Sequence, residues 1–321
     1  MERAFIFSSG RLKRKDNTLL FEGKDGKRRY LPADTLRELL LFGEVELNLR
    51  LLNFLSQKGI LLHTFNRYGF YTGSYLPRRV RVSGFLTVKQ AEHYLNPDSR
   101  LFLAASFVDG AAYHIGRNLK KRGIEEPKLY ELQSRIYSAA TVPALMQVEG
   151  KIRELYYGHL NSLFKGLKLG RRERRPPSNP VNALISFGNS LMYSTVLTEI
   201  YQTHLDPSIS FLHKPSTGRY SLSLDIAEIF KPLIVDPLIL RLVNKRVLTE
   251  KDFDSGVNYA LLSEAGRKKF LKHYSQSLET TVKHRSLNRK VSYRHLIRLE
   301  CYKLVKHLIG ELEYKPLKAW W

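Results

Sequence analysis

Three carboxylates and one imidazole stand where metal-assisted chemistry could use them. Plotted at helical period, the segment VPALMQVEGKIRELYYGHL sets Val142, Leu145, Met146, Ile152, Tyr156 and Leu160 within about 60° of Glu149, so an acid falls mid-stripe on an apolar face. An ionised carboxylate buried without a partner is costly, so such a residue faces a cation, a metal or a hydrogen-bond network. Two further acids, Asp225 and Glu228, sit at i,i+3 on a second expected helix, and His213 lies in the turn before it. With Glu228 at 0° on a helical wheel, Asp225 falls near about 60°, while Leu222, Ile226, Ile229 and Leu233 gather on the other side. The Pro-Ser-Thr-Gly turn in HKPSTGRYS could fold His213 back toward the start of that helix.

Two carboxylates plus an imidazole form a mixed oxygen and nitrogen set suited to Mg²⁺ or Mn²⁺, with coordination positions left for water and phosphate oxygens. Zinc fits less well, since neither H-E-x-x-H nor C-x-x-C occurs. Each residue also has a structural alternative. Glu149 could pair with a buried arginine, Asp225 and Glu228 could form a solvated helix edge, and His213 could stabilise its turn.

The elements that must position these residues divide the chain in two. Up to about residue 80 the pattern is mostly strand, in RAFIF, TLLFEG, RRYLP, LRELLLFG, ILLHTF and FYTGSY, with turns at Asp16-Asn17, Gly23 to Gly26 and Arg67 to Gly69. One helix interrupts it, NLRLLNFLSQKG, capped at Asn48 and stopped at Gly59. The basic segment Pro77 to Gly84 reads as a linker. From about residue 86 the period becomes 3.6 and remains so. The expected fold class is α+β: a small β-rich domain over 1–83, then a larger all-α domain over 84–321.

The 321 residues carry 53 Lys and Arg against 30 Asp and Glu, a formal charge of +23 that points to a polyanionic partner. No apolar run is long and uninterrupted enough to span a bilayer, and the start lacks a signal-peptide core, so a cytoplasmic location without membrane attachment is expected. A single cysteine, Cys301, excludes internal disulfides and cysteine-rich zinc modules, and reads as a small buried hydrophobe. Two basic clusters could track a phosphate backbone. The first is a Gly- and Pro-bounded loop with Lys165, Lys168, Arg171, Arg172, Arg174 and Arg175; the second holds Lys283, Arg285, Arg289, Lys290, Arg294 and Arg298. A solvated charged surface is the alternative for both. Tyr156, Tyr157 and Tyr193 read as core residues before stacking platforms.

The V-E-G at Glu149, the N-x-x-x-S-F-G-N-x-x-x-Y run from Asn182 to Tyr193, and LHKPSTGRYSLSLDIAEIFKPLIVD from Leu212 to Asp236 resemble the CRISPR-associated integrase family of spacer acquisition, Cas one. The F-x-x-x-G-x-x-x-G spacing from Phe65 to Gly73 and the two-domain plan match it as well. The resemblance implies a metal-dependent DNA endonuclease and integrase in which Glu149, His213 and Glu228 bind the catalytic Mg²⁺ or Mn²⁺. Asp225 corresponds to an adjacent acid of the same motif, and Asn182, Tyr193 and Arg219 to supporting positions. It further implies a homodimer formed through the β-rich domains, double-stranded DNA as substrate (a captured fragment and the CRISPR repeat), and a small dimeric partner, Cas two. In the implied reaction a 3′-hydroxyl of the captured fragment attacks a phosphodiester at the repeat. A structure-selective nuclease acting on branched DNA in repair, and a non-catalytic nucleic-acid-binding scaffold, are the rival readings.

Overall fold

The computed structural model describes residues 3–66, 68–78, 83–173, 177–254 and 260–321. The chain divides into two compact units, Met1–Val80 and Arg81–Trp321. The expected boundary at 83/84 falls beside residues 79–82, which lie outside the described residues, as does Arg67.

In the first unit β1 (Arg3–Ile6), β2 (Gly10–Lys15), β3 (Thr18–Gly23), β4 (Arg28–Pro32), β5 (Glu38–Leu41) and β6 (Val45–Glu46) precede α1 (Leu49–Lys58), followed by β7 (Leu61–Phe65) and β8 (Tyr71–Tyr75). They form two four-stranded sheets, ordered β1-β5-β7-β8 and β4-β3-β2-β6. β5 pairs in parallel with both β1 and β7, and all four of its residues are buried, which is why ELLL does not alternate. The β2–β3 hairpin turns at Asp16, whose φ of 54° an aspartate tolerates. Helix α1 begins where Asn48 accepts a hydrogen bond from the Leu51 amide at 2.9 Å and ends at Gly59, whose φ of 65° favours glycine. Its apolar face (Leu51, Phe54, Leu55) joins Leu12, Leu19 and Leu39 from both sheets in one core.

The second unit runs through α2 (Gly84–Leu95), α3 (Pro97–Lys120), α4 (Pro127–Ser134), α5 (Val142–Leu163), α6 (Pro180–Tyr201), α7 (Ser221–Phe230), α8 (Asp236–Asn244), α9 (Glu264–Glu279) and α10 (Tyr293–Leu308). The expected all-α domain needs a small correction. Phe253–Asp254 pairs with Leu261–Leu262, and Thr281–Lys283 with Lys290–Ser292, as short antiparallel ribbons too brief to leave a period of two in the sequence. Helix α6 is buried on nearly every side and forms the axis of the core. Gly188 permits that packing, since a Cβ there would meet Val235 Cγ1 at 2.6 Å and Phe270 Cζ at 3.1 Å. Between α7 and α8 the chain makes one π-helical turn, Lys231–Val235, containing Pro232. Such a turn re-aims side chains relative to a regular helix, and it begins at Lys231, three residues after Glu228.

Candidate active site

Helix α5 starts at Thr141, whose hydroxyl accepts from the Ala144 amide at 3.3 Å, with Pro143 in its first turn. Its buried line is Leu145, Val148, Ile152, Tyr156 and Leu160. Glu149 therefore flanks the buried face and does not occupy its centre: the side chain is 24% exposed, and Met146, expected in the stripe, is exposed. The ion-pair alternative is the arrangement seen. Arg153 Nε donates to Glu149 Oε1 at 3.1 Å, while its Nη2 donates to Glu228 Oε2 on α7. One guanidinium thus joins the two carboxylates across helices. Burial works against the Arg153 charge, and Glu228, Tyr157, Glu149 and Asp236 together more than offset it, so its pKa is raised well above the usual range.

Asp225 is fully buried on α7, which overturns the solvated-edge alternative. Its Oδ2 accepts from the Phe211 amide at 2.6 Å and the Leu212 amide at 2.9 Å, and its Oδ1 accepts from the His213 amide at 3.0 Å. These bonds fold the 211–213 segment onto the helix. Oδ1 also lies 2.8 Å from His213 Nδ1; a carboxylate only accepts, so Nδ1 carries a proton in either charge state, and in the neutral ring Nε2 holds the lone pair. With four donors already on it, Asp225 orients His213 and has little capacity left for an ion. Burial lowers the His213 pKa, but the hydrogen bond and charge of Asp225, with Glu228 nearby, raise it on balance.

Glu228 is buried, with Lys231 on Oε1 and Arg153 on Oε2. Burial pushes its carboxyl upward, yet Lys231, Arg153 and His213 hold it down at about 2. The Lys231 ammonium also stands 5.7 Å from the Tyr193 ring centroid, so the motif residue Tyr193 borders this cluster. Among the described residues no three His, Cys, Asp or Glu side chains converge closely enough to hold an ion. The donor types nonetheless suit a hard or borderline divalent cation: Glu149, Glu228 and the oriented Nε2 of His213. A guanidinium stands between the two carboxylates.

Asp236 opens α8 in the same neighbourhood, fully enclosed, with Oδ2 lacking a hydrogen-bond partner. Burial raises its carboxyl from 3.8 to about 6, against the pull of Arg153 and Lys231. Because the folded value exceeds the unfolded one, stability falls as pH rises from about 4 through about 6, and the full cost applies above that. Two pKa units correspond to about 3 kcal/mol. Asp236→Asn is expected to be more stable than wild type by about that amount at pH 8 and nearly equal to it at pH 4. Urea unfolding at the two pH values measures the difference.

The basic residues separate into surface and interior groups. Lys165, Lys168 and Arg171 are exposed, as are Lys283, Arg285, Arg289, Lys290 and the turn residue Arg219. Arg174 and Arg175 lie outside the described residues. Arg172 is partly buried and fastened to α6, with Nη1 donating to Asn182 Oδ1 at 3.0 Å and Nη2 to Ser186 Oγ at 3.1 Å. Asn182 in turn donates to the Arg171 carbonyl at 2.8 Å, so this motif asparagine shapes the basic loop. Arg294 is a correction to the expected groove. It is buried, with Nε donating to the fully buried Glu199 at 2.6 Å, and Arg298 reaches the other Glu199 oxygen at 2.6 Å. Both arginines tie α10 to α6. Cys301 is buried, and burial raises its thiol pKa.

Sequence reading missed Arg153 and Lys231. The available signals were i,i+4 spacing from Glu149 and i,i+3 spacing from Glu228, each on a buried face.

Residues 4–276 match the family model for the CRISPR associated protein Cas1. A CRISPR-associated endonuclease Cas1 of Thermodesulfovibrio yellowstonii is 50% identical over 325 residues, covering 100% of both chains. A Cas1 protein from Thermotoga maritima has a TM-score of 0.92 and 46% identity over 98% of this chain and 100% of its own. A casposase bound to integration product shares the fold at 18% identity, with a TM-score of 0.88 over 99% of this chain and 93% of that one. Among the described residues no helix is long and apolar enough to cross a membrane. With the model spanning most of its length and half its residues shared with a full-length relative, the chain belongs to the Cas1 family of CRISPR-associated proteins.

Proposed function

We propose that the chain is a divalent-metal-dependent DNA endonuclease and integrase of CRISPR adaptation, with its catalytic centre at Glu149, His213 and Glu228. The observation that carries this reading is the His213–Asp225 pair, which fixes the tautomer of the neutral ring so that Nε2 is the nitrogen left to bind a cation. A bound Mg²⁺ or Mn²⁺ would supply Lewis-acid stabilisation of the charge that develops on the attacked phosphate. Asp225 holds the imidazole by accepting its Nδ1 proton, and three backbone amides hold Asp225. Arg153 and Lys231 keep Glu228 ionised, so the carboxylate is ready for a cation without first losing a proton. Since His213 would donate Nε2 to the ion and already gives Nδ1–H to Asp225, neither nitrogen remains for general-base work.

The exposed Lys165, Lys168, Arg171, Lys283, Arg285, Arg289 and Lys290 are proposed as contacts to the phosphates of double-stranded DNA, giving affinity without sequence choice. A homodimer through the β-rich units, and assembly with a small dimeric Cas2 partner, belong to the same proposal. The test is an integration assay: incubation with Mn²⁺, a supercoiled plasmid bearing a repeat array and a short duplex. Duplex joined to the plasmid at the repeat supports the reading. Nicking without joining would leave only the endonuclease, and cleavage confined to branched substrates would favour a repair nuclease.

A further inference from the structure

A cationic recess lies in the helical unit, and Glu149, His213, Asp225 and Glu228 take no part in its lining. Its volume is about 260 Å³, and its wall carries Arg117, Lys121, Arg122 and Arg241 without any carboxylate side chain. Among the described residues, these four cations form no ion pair with an acid. They also repel one another. Burial and then the charges of Arg117 and Arg122 lower the Lys121 pKa. His114, also in the wall, adds no charge: burial holds its pKa at about 4, with Nδ1 3.0 Å from the Ile229 carbonyl and Nε2 accepting from the Ala319 amide.

Among the described residues no acidic side chain pairs with this cluster of like charge, an arrangement that a bound anion relieves. The remaining wall is largely aliphatic, with Leu233, Ile234, Pro237 and Leu238, and carries two aromatic rings, Tyr293 and Trp321. Trp321 Nε1 donates to the Tyr293 hydroxyl at 2.7 Å, and the two ring centroids are 5.6 Å apart. A flat ring beside clustered cations is the pairing that holds a base together with its phosphate. The volume of about 260 Å³, just below the range of about 300–1,000 Å³ for drug-sized ligand sites, suits a ligand no larger than one nucleotide and excludes a duplex.

We infer that this recess binds a single nucleoside phosphate, with the phosphate among Arg117, Lys121, Arg122 and Arg241 and the base against Trp321. The same chemistry is offered by a free nucleotide and by an unpaired nucleotide of a DNA strand. The chain's two tryptophans, Trp320 and Trp321, pack with ring centroids 4.7 Å apart, so intrinsic fluorescence reports locally on the recess. The full chain would be titrated with dAMP, with a 5′-phosphorylated ten-residue single strand of deoxyadenosine, and with inorganic phosphate.

A saturable change with dAMP or the strand is expected, weakened about tenfold or more in K121E/R241E and steeply dependent on salt. Both substituted residues are exposed, so the variant's melting temperature should match wild type. Trp321→Ala, followed by calorimetry, should cost affinity for dAMP and leave phosphate binding unchanged. Tighter binding of the strand assigns the recess to DNA, and tighter binding of dAMP assigns it to a free nucleotide; either supports the inference. No saturable change, undiminished binding by K121E/R241E, or phosphate binding as tight as dAMP overturns it. Glu149→Ala should bind like wild type, which keeps this result separate from the fate of the proposed catalytic centre.

Discussion

His213→Ala is expected to lose Mn²⁺-dependent plasmid nicking about a thousandfold or more, while its fold and its affinity for duplex DNA stay near wild type. The imidazole is partly exposed and, among the described residues, is held by Asp225, which keeps three backbone donors after the ring is removed. Stability should therefore change little. Affinity should hold too, because exposed lysines and arginines dominate attraction to DNA. Chemistry and binding separate if His213 is a ligand. Nicking rate, melting temperature and salt-dependent affinity, measured on one preparation, distinguish this from a scaffold, for which His213→Ala would alter no metal-dependent activity. Retained full cleavage would remove His213 from the site.

Glu228→Ala should behave differently, losing about 3–5 kcal/mol of stability as well as activity. Its carboxylate lies between Arg153 and Lys231, and its removal leaves two buried cations facing each other. Glu228→Ala/Lys231→Ala should recover part of that loss, so the two substitutions are non-additive in urea unfolding. The pH dependence has a definite sign. Since the folded carboxyl is held at about 2, below its ordinary value of 4.5, the stabilisation is present above about pH 4.5 and is lost as pH falls toward 2. Wild type should lose stability across that interval, and the Glu228→Ala variant should lose less. Equal acid sensitivity would show that Glu228 is not held ionised by its neighbours.

Much of this architecture was legible because local rules decide it. The Asn48 cap, the Gly59 stop and the Asp16 turn are each set by a few adjacent residues, and the change of period near residue 86 marks where strands give way to helices. The acids and histidine were found by residue type and spacing. Their roles were not, because roles depend on what folds against them. Asp225 is an orienting group only because a segment twelve to fourteen residues earlier returns its amides to one carboxylate. Arg294 looked like a phosphate contact among other cations; Glu199, 95 residues away, holds it in the interior. The π-helical turn was hidden for another reason: KPLIV keeps an apolar, helix-like pattern, and the extra residue per turn leaves no mark on composition. Arg153 occupied a visible i,i+4 position, yet spacing alone cannot show that one guanidinium also reaches a second helix.

The most direct test of the metal assignment is anomalous diffraction from crystals soaked in Mn²⁺. The expected result is a single strong peak bounded by the carboxylates of Glu149 and Glu228 and by Nε2 of His213, with the Arg153 guanidinium displaced from between the two acids. Absence of a peak there in crystals of protein that still nicks DNA with Mn²⁺, with Arg153 still bridging Glu149 and Glu228, would contradict it.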